Sequence, residues 1–228
     1  MDIKNTKASR KVLAKIPYVW KPLDKGYSDQ SLYVNVTTLT TEVRPVDPGG
    51  KELFVGGKGY GLRMLWDAVT PETKWYHPEN EIVISGGPVC GITQYSGTGK
   101  SICVALSPVT DRVVDSNVGG HFGPHLKFAG FDAFELQRIA REEVIIYING
   151  VDHEIEFFAP PCGLHVDSHL LAEELHEMFS DDEKDKINVS VVSAGLAADH
   201  SLIGMLNFSF YDPKRRKIRL KQAGRGGI

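Results

Sequence analysis

The sequence predicts an α+β fold, rich in strands with few helices, and three features carry that expectation. Short β-branched and apolar runs such as "NEIVIS" (80–85) and "SICVAL" (101–106) recur between glycine- and proline-marked breaks. Helical spacing of apolar residues is confined to a few segments, chiefly "GLRMLWDAV" (61–69) and "DSHLLAEELHEMF" (167–179). Strand-rich halves with so few helices favour α+β. At 228 residues the chain suits one large domain or two small ones, and its 42% hydrophobic content supports a sizeable core.

Taken in order, residues 1–30 are polar and broken by Pro17, Pro22 and Gly26, and read as an arm with little core of its own. The domain proper is expected over 31–228. "SLYVNVTTLTTEVRPV" alternates and predicts a hairpin that ends in a turn at Asp47–Gly50. "ELFVGGKGYGLRMLWDAV" runs through glycines into a helix with Leu62, Leu65, Trp66 and Val69 on one face. "NEIVISGG" and "SICVALSP" predict strands. "DRVVDSNVGGHFGPHLKFAGFDAFELQ" reads as strand, glycine turn, short helix ending near Gly130, then strand. "EVIIYINGVDHEIEFF" predicts a hairpin around Asn149-Gly150. Asp167 or Ser168 would cap the helix of 167–179, and "INVSVVSAG" and "SLIGMLNFSF" predict further strands.

The bulk numbers narrow the function classes. With 26 basic and 29 acidic residues spread along the chain, net charge −3, and no RNP-like aromatic motif, nucleic acid is not an expected partner. Three cysteines without a C-x-x-C pair make no disulfide framework and suggest a reducing compartment. The N-terminal twenty residues are basic but their apolar positions are interrupted, so neither an ordinary signal peptide nor a membrane span is expected, and a cytoplasmic protein is.

The segment "SGTGKS" (96–101) looks like a nucleotide P-loop and fails the test twice. The motif requires glycine five residues before Gly99, where Gln94 stands, and it must open a helix, whereas "ICVALSP" reads as a strand. What remains is a glycine-rich loop between strands that leaves backbone N–H groups uncovered around Lys100, an arrangement suited to an anion.

Four segments then align with one family. "GGKGYG" (56–61), "NEIVISGGPVCG" (80–91), "DSNVGGHFGPHLKFAGFD" (115–132) and "AGRGGI" (223–228) resemble the N-terminal domain of the tungsten-containing aldehyde ferredoxin oxidoreductases, from about Tyr33 onward. The third is the most specific. The resemblance implies a base of two β-sheets on which two pterins lie, their dithiolenes holding tungsten or, occasionally, molybdenum. It also implies that the chain corresponds to the N-terminal part of a longer protein. In the family, later helical domains carry the [4Fe–4S] cysteines and the catalytic acids.

Carried over position by position, the resemblance implies cofactor contacts at Lys58, Gly59, Lys100, Asn117, Gly119, Lys221, Gln222, Gly224 and Arg225. Lys58, Lys100 and Lys221 stand where the family has arginines. They keep the charge that neutralises phosphate but lose the bidentate fork. Asn117 and Gly119 would meet the pterin and a Mg²⁺ bridging the phosphates, and Gln222 falls where a backbone carbonyl faces that ion. Two departures stand out. "SAGLAAD" (193–199) replaces the family's glycine-proline-alanine-glycine-glutamate, and Cys90, Cys103 and Cys162 make no cluster motif.

The expectation is therefore the pterin-seating part of a tungsten or molybdenum aldehyde-oxidoreductase-like enzyme. The cluster and catalytic domains would come from a missing part or a partner chain, with a ferredoxin-like electron acceptor; no residue here is a catalytic candidate. The rival is a non-catalytic structural or interaction subunit that keeps the fold without the cofactor. A third reading is a binder of another phosphorylated small molecule. His121 and His125, four apart, would make half a metal site but lack a third ligand, and Asp111 and Asp115 read as turn and strand-edge residues.

Overall fold

Strand pairing along the β-branched segments sorts the described residues into three sheets. The computed structural model describes residues 10–164, 166–202 and 206–224. Strands β1 (Lys11–Pro17), β8 (Ile145–Asn149) and β9 (Glu154–Ala159) form one antiparallel sheet in the order β1-β9-β8. A six-stranded sheet follows the order β3-β2-β7-β4-β5-β6, made by β2 (Gln30–Asn35), β3 (Thr40–Pro45), β4 (Glu81–Ser85), β5 (Ser101–Leu106), β6 (Val113–Val118) and β7 (Ala133–Gln137). Within it only β2 and β7 pair in parallel. The third sheet is the antiparallel β10-β11-β12, from Val192–Ser193, Asn207–Asp212 and Lys217–Gln222. The two-sheet base expected from the resemblance thus divides into one large sheet and two small ones. Among the described residues no helix is long and apolar enough to cross a membrane.

Local chemistry sets the connections. The expected turn at Asp47–Gly50 is instead the capped start of helix α1 (Pro48–Phe54). The Asp47 carboxylate accepts from the Gly50 N–H at 2.6 Å, and Pro48 sits where its missing N–H costs nothing. Helix α2 (Lys58–Ala68) follows after Gly56 and Gly57, which take left-handed φ angles of 149° and 53°. Helix α3 (Phe122–Phe128) lies between β6 and β7, and α4 (Ser168–Phe179) is capped by Asp167 accepting from His169 and Leu170 N–H groups. A 3-10 turn (Asp185–Asn188) and the four-residue α5 (Ala197–His200) complete the helices among the described residues. At the β8–β9 turn the Asn149 side chain accepts from Val151 and Asp152 N–H groups, so asparagine closes a four-residue loop rather than a two-residue one. "INVSVVSAG" yields only the two-residue β10; just before it the Ser209 N–H still donates to the Val191 carbonyl, but the Val191 N–H turns to the Ser209 hydroxyl and the Ser190 hydroxyl donates to the Ser209 carbonyl.

Cross-strand register gives the six-stranded sheet two unlike faces. Leu32, Phe134, Ile84 and Cys103 share one face and join Val118, Leu126, Phe131, Ile155, Phe157 and Phe208 in a core shared with both small sheets. Burying side chains such as Phe131 and Phe157 contributes roughly 1.5–3 kcal/mol each. The opposite face is mixed. One row runs Tyr33, Glu135, Val83, Val104, Asp115, and the next runs Ser31, Ala133, Ser85, Ile102, Asn117. Helix α2 roofs the middle of this face through Tyr60, Gly61 and Leu65. A Cβ on Gly61 would lie 2.5 Å from Val104, so only glycine allows that approach. The apolar stripe read in the sequence is only partly buried: Leu65 is inside, while Trp66 is 78% exposed.

The expected N-terminal arm is fastened along its length, with Trp20 Nε1 donating to the Phe128 carbonyl and Tyr27 Oη to the Val55 carbonyl. Strand β1 pairs with β9, and Tyr18 Oη donates to the Ala129 carbonyl at 2.8 Å. Further on, buried Lys127 donates to the Gly26 carbonyl and to Asp132, whose carboxylate also accepts the N–H groups of Ser28 and Asp29. An ion inside a core needs all of these partners to offset its lost hydration.

Candidate functional site

The glycine segments that are far apart in sequence meet at one end of the mixed face. After β4 the chain turns through Gly86 and Gly87. The Gly57 N–H donates to the Gly86 carbonyl at 2.9 Å, and the Ser85 hydroxyl donates to the Gly57 carbonyl at 2.7 Å. The loop from Gly91 to Lys100 is closed on itself by Gly91 N–H to the Thr98 carbonyl and by the Thr98 hydroxyl to the Ile92 carbonyl. A pocket of about 180 Å³ opens between these pieces, lined by Gly57, Gly87, Gly97, Thr98, Lys100 and Ile102 among others.

The next strand brings the third segment to the same place. Ile102 pairs with Asn117 across β5 and β6, which sets Asn117 beside the pocket wall. Beyond β6, the Gly119–Gly120 turn lies against the Lys100 loop: a Cβ on Gly99 would sit 2.4 Å from the Gly120 carbonyl oxygen. Backbone meets backbone there, so no larger residue fits without moving one loop. The C-terminal segment closes the ring. Gly224 and Asn117 exchange both backbone hydrogen bonds, at 3.1 and 3.3 Å, in an isolated bridge that ties the chain after β12 to the edge strand β6.

Lys100, Asn117, Gly119 and Gly224 are therefore neighbours. Lys100 and Asn117 are exposed, and Asn117's side-chain amide makes no hydrogen bond to the described residues. Its carbonyl accepts from Gly224 and keeps a second lone pair. Lys221 and Gln222 are exposed at the end of β12, cross-strand from Phe208 and Asn207 and within three residues of Gly224. Two residues differ from the expected pattern. Gly59 does not open on the pocket; a Cβ there would meet the Phe54 carbonyl oxygen at 2.4 Å, so its small size serves the α1–α2 contact. Lys58 is not a free cation, because its Nζ lies 2.7 Å from the Asp115 carboxylate. Arg225 lies outside the described residues.

Sequence reasoning passed over four residues of this region. Asp115, read as a strand-edge residue, shares its face with Asn117, a placement that the two-residue period of a strand makes visible. Gly87 and Gly97 line the pocket with open space where a Cβ would stand. Arg219 lies cross-strand from Phe210, whose ring packs on His121 next to the Gly119–Gly120 turn, and its Nη1 is 3.5 Å from Asp212. The histidines do other work. His125 Nε2 lies 3.1 Å from the Ile187 carbonyl oxygen, and burial, then the neighbouring His121, pull its pKa down to about 4. Among the described residues no three His, Cys, Asp or Glu side chains form a metal-binding group.

The arrangement offers what a flat polyanion needs. Glycine turns leave N–H groups and room for close approach, and exposed lysines supply charge at the rim. At Gly87, Gly97 and Gly119 an added Cβ would meet nothing within 4 Å, so space lies in front of the backbone. Among the described residues no carboxylate lies within ion-pair distance of Lys100 or Lys221. These residues fit a phosphate-bearing pterin cofactor.

Comparison with known proteins identifies the family. The family "Aldehyde ferredoxin oxidoreductase, N-terminal domain" matches residues 31–228. A tungsten-containing aldehyde ferredoxin oxidoreductase of Pyrococcus horikoshii is 28% identical over 205 residues, covering 89% of this chain and 31% of that protein. The WOR-like subunit of an aliphatic sulfonate oxidoreductase from Pyrococcus furiosus is 28% identical over 164 residues, 70% of this chain and 26% of its own. Among solved structures, the active site complex BamBC of benzoyl coenzyme A reductase, bound to 1,5-dienoyl-CoA, matches with a TM-score of 0.69 and 27% identity, over 89% of this chain and 28% of that one. The chain thus spans about a third or less of each relative's length. With the family model matching residues 31–228 and a like fold among solved structures, the chain belongs to the aldehyde ferredoxin oxidoreductase N-terminal domain family.

Proposed function

We propose that this domain seats a tungsten or molybdenum bis-pterin cofactor for an oxidoreductase whose cluster-bearing and catalytic domains lie elsewhere. The observation that carries this reading is the meeting of Lys100, Asn117, Gly119 and Gly224 on one open face of the six-stranded sheet. Such a cofactor, when bound, supplies the two-electron oxidation or reduction of the substrate. This chain's residues do the holding. Lys100 neutralises phosphate charge as a point contact, and Lys221, three residues before Gly224, is the second cation for that role. The Gly119 turn presents backbone N–H groups to the ligand's edges, while the Gly57 N–H is spent on the Gly86 carbonyl and holds the pocket wall. The Asn117 backbone carbonyl and side-chain amide oxygen, with the backbone at Gln222, would supply oxygen ligands to a Mg²⁺ accompanying the cofactor. Tying β6 to the C-terminal segment fixes these groups before the ligand arrives, so little ordering remains at binding.

A [4Fe–4S] cluster would sit on the missing part or on a partner chain and pass electrons to a ferredoxin-like acceptor in a cytoplasmic setting. The relatives differ in their named reactions while sharing this domain, which supports a cofactor role for it and leaves substrate choice to the other domains. The test is metal and pterin content of the native complex purified with whatever accompanies it. Tungsten or molybdenum near stoichiometry, with pterin lost in a K100A variant that still assembles, is the expected result. An intact complex containing neither would leave a scaffold without the cofactor.

A further inference from the structure

We propose that Asp115 gates the anion seat: it holds Lys58 in an ion pair until a polyanionic, phosphate-bearing ligand takes the lysine from it. The inference rests on the reading of this face as a phosphate seat. It begins from an inequality among the lysines. Lys100 and Lys221 have no carboxylate partner among the described residues, whereas Lys58 Nζ is 2.7 Å from Asp115 Oδ1.

Position makes this pair part of the seat. Lys58 is the first residue of α2 and directly follows Gly57, which lines the pocket. Asp115 and Asn117 are alternate residues of β6 and face the same side, one row apart, cross-strand from Val104 and Ile102. The Lys58 side chain therefore crosses from the pocket rim to the strand that carries Asn117. Its ammonium rests on the only acidic residue of β6.

The exposure of the pair decides how it behaves. The side chains are 55% and 30% exposed, and solvated pairs of this kind contribute little net attraction. A phosphate monoester or pyrophosphate carries close to two or more negative charges and more acceptor oxygens than a carboxylate, and so outcompetes Asp115 for the ammonium. The freed Asp115 charge then stands beside the bound anion and opposes it. A singly charged anion cannot overcome both effects, while a polyanion can. The gate thus selects ligands by charge, and it screens Lys58 when the seat is empty.

The experiment uses inorganic pyrophosphate as the probe, titrated into the full chain and followed by amide NMR at fixed salt. The proteins are wild type, D115N, K58A, K58A/D115N and K100A. D115N should bind about three- to tenfold more tightly, from removal of one nearby charge and release of Lys58. In K58A/D115N most of that gain should vanish, because the lysine to be released is absent. Unchanged or weaker binding by D115N would overturn the gate. So would a gain that survives whole in K58A/D115N, because Asp115 would then act only by repulsion. The seat itself fails differently: K100A would bind like wild type, or the shifted amides would lie away from Gly57, Gly97–Lys100 and Asn117–Gly120. If no variant binds pyrophosphate, both the seat and the gate fall.

Discussion

Two lysine–aspartate pairs in this domain have the same chemistry and opposite settings. Lys127 and Asp132 are 2% and 0% exposed, and they share a nest with the Gly26 carbonyl and the Ser28 and Asp29 N–H groups. Lys58 and Asp115 are 55% and 30% exposed on the open face, with no such nest. Burial decides what each pair can do. The inner pair cannot exchange partners, because any unpaired charge there loses its hydration without replacement, so it fastens the N-terminal arm to the α3–β7 corner. The outer pair is loose enough to be displaced and is therefore suited to a site that must admit an anion.

The largest expected effect breaks the inner pair. K127A or D132A should lower stability by about 3–5 kcal/mol in urea unfolding, since each leaves a buried charge alone. The neutral double variant K127M/D132N should recover part of that loss. If either single variant lost less than about 1 kcal/mol, the pair would be no more structural than the outer one.

A buried carboxylate gives an intermediate effect, visible in pH dependence. Glu81 is 1% exposed on the row next to Glu135, and an oxygen of each lacks a hydrogen-bond partner. Burial, and then the Glu135 charge, push the Glu81 pKa up to about 8, with Arg44 working the other way. The folded state therefore favours protonated Glu81. That stabilisation is complete below the unfolded value near 4.5 and is lost as pH rises through about 8. E81Q should flatten this decline, gaining on wild type by on the order of 1–3 kcal/mol between pH 5 and 9 in denaturation midpoints. A constant difference across that range would mean the carboxyl is already ionised in the fold.

The smallest effect sharpens the comparison from the other side. K58A and D115N should each change stability by no more than about 1 kcal/mol. A larger loss would make the outer pair structural and remove the freedom the gate needs.

Legibility in the sequence followed locality. The β2–β3 and β8–β9 hairpins, the strands flanking Lys100 and the Asp167-capped helix were readable because alternation, turn residues and caps act within a few positions. The start of α1 was missed because Asp47 followed by Pro48 and two glycines fits a turn as well as a capped helix. Trp66 was placed on a helical stripe whose period is correct, yet α2 buries Tyr60 and Gly61, since the glycine approach to Val104 sets the helix rotation. At the site, glycine spacing and the family pattern singled out Lys100, Asn117 and Gly119. Neither indicates that Asp115 holds Lys58, or that Gly59 serves a helix contact, because both depend on elements meeting in space.

The most direct test is to locate the metal. Crystals of the native complex measured at the tungsten absorption edge, and at the molybdenum edge, should show one anomalous peak per copy over the face bounded by Lys100, Asn117, Gly119 and Gly224. A peak elsewhere on the domain would move the seat. A well-ordered complex with no peak at either edge would contradict the account.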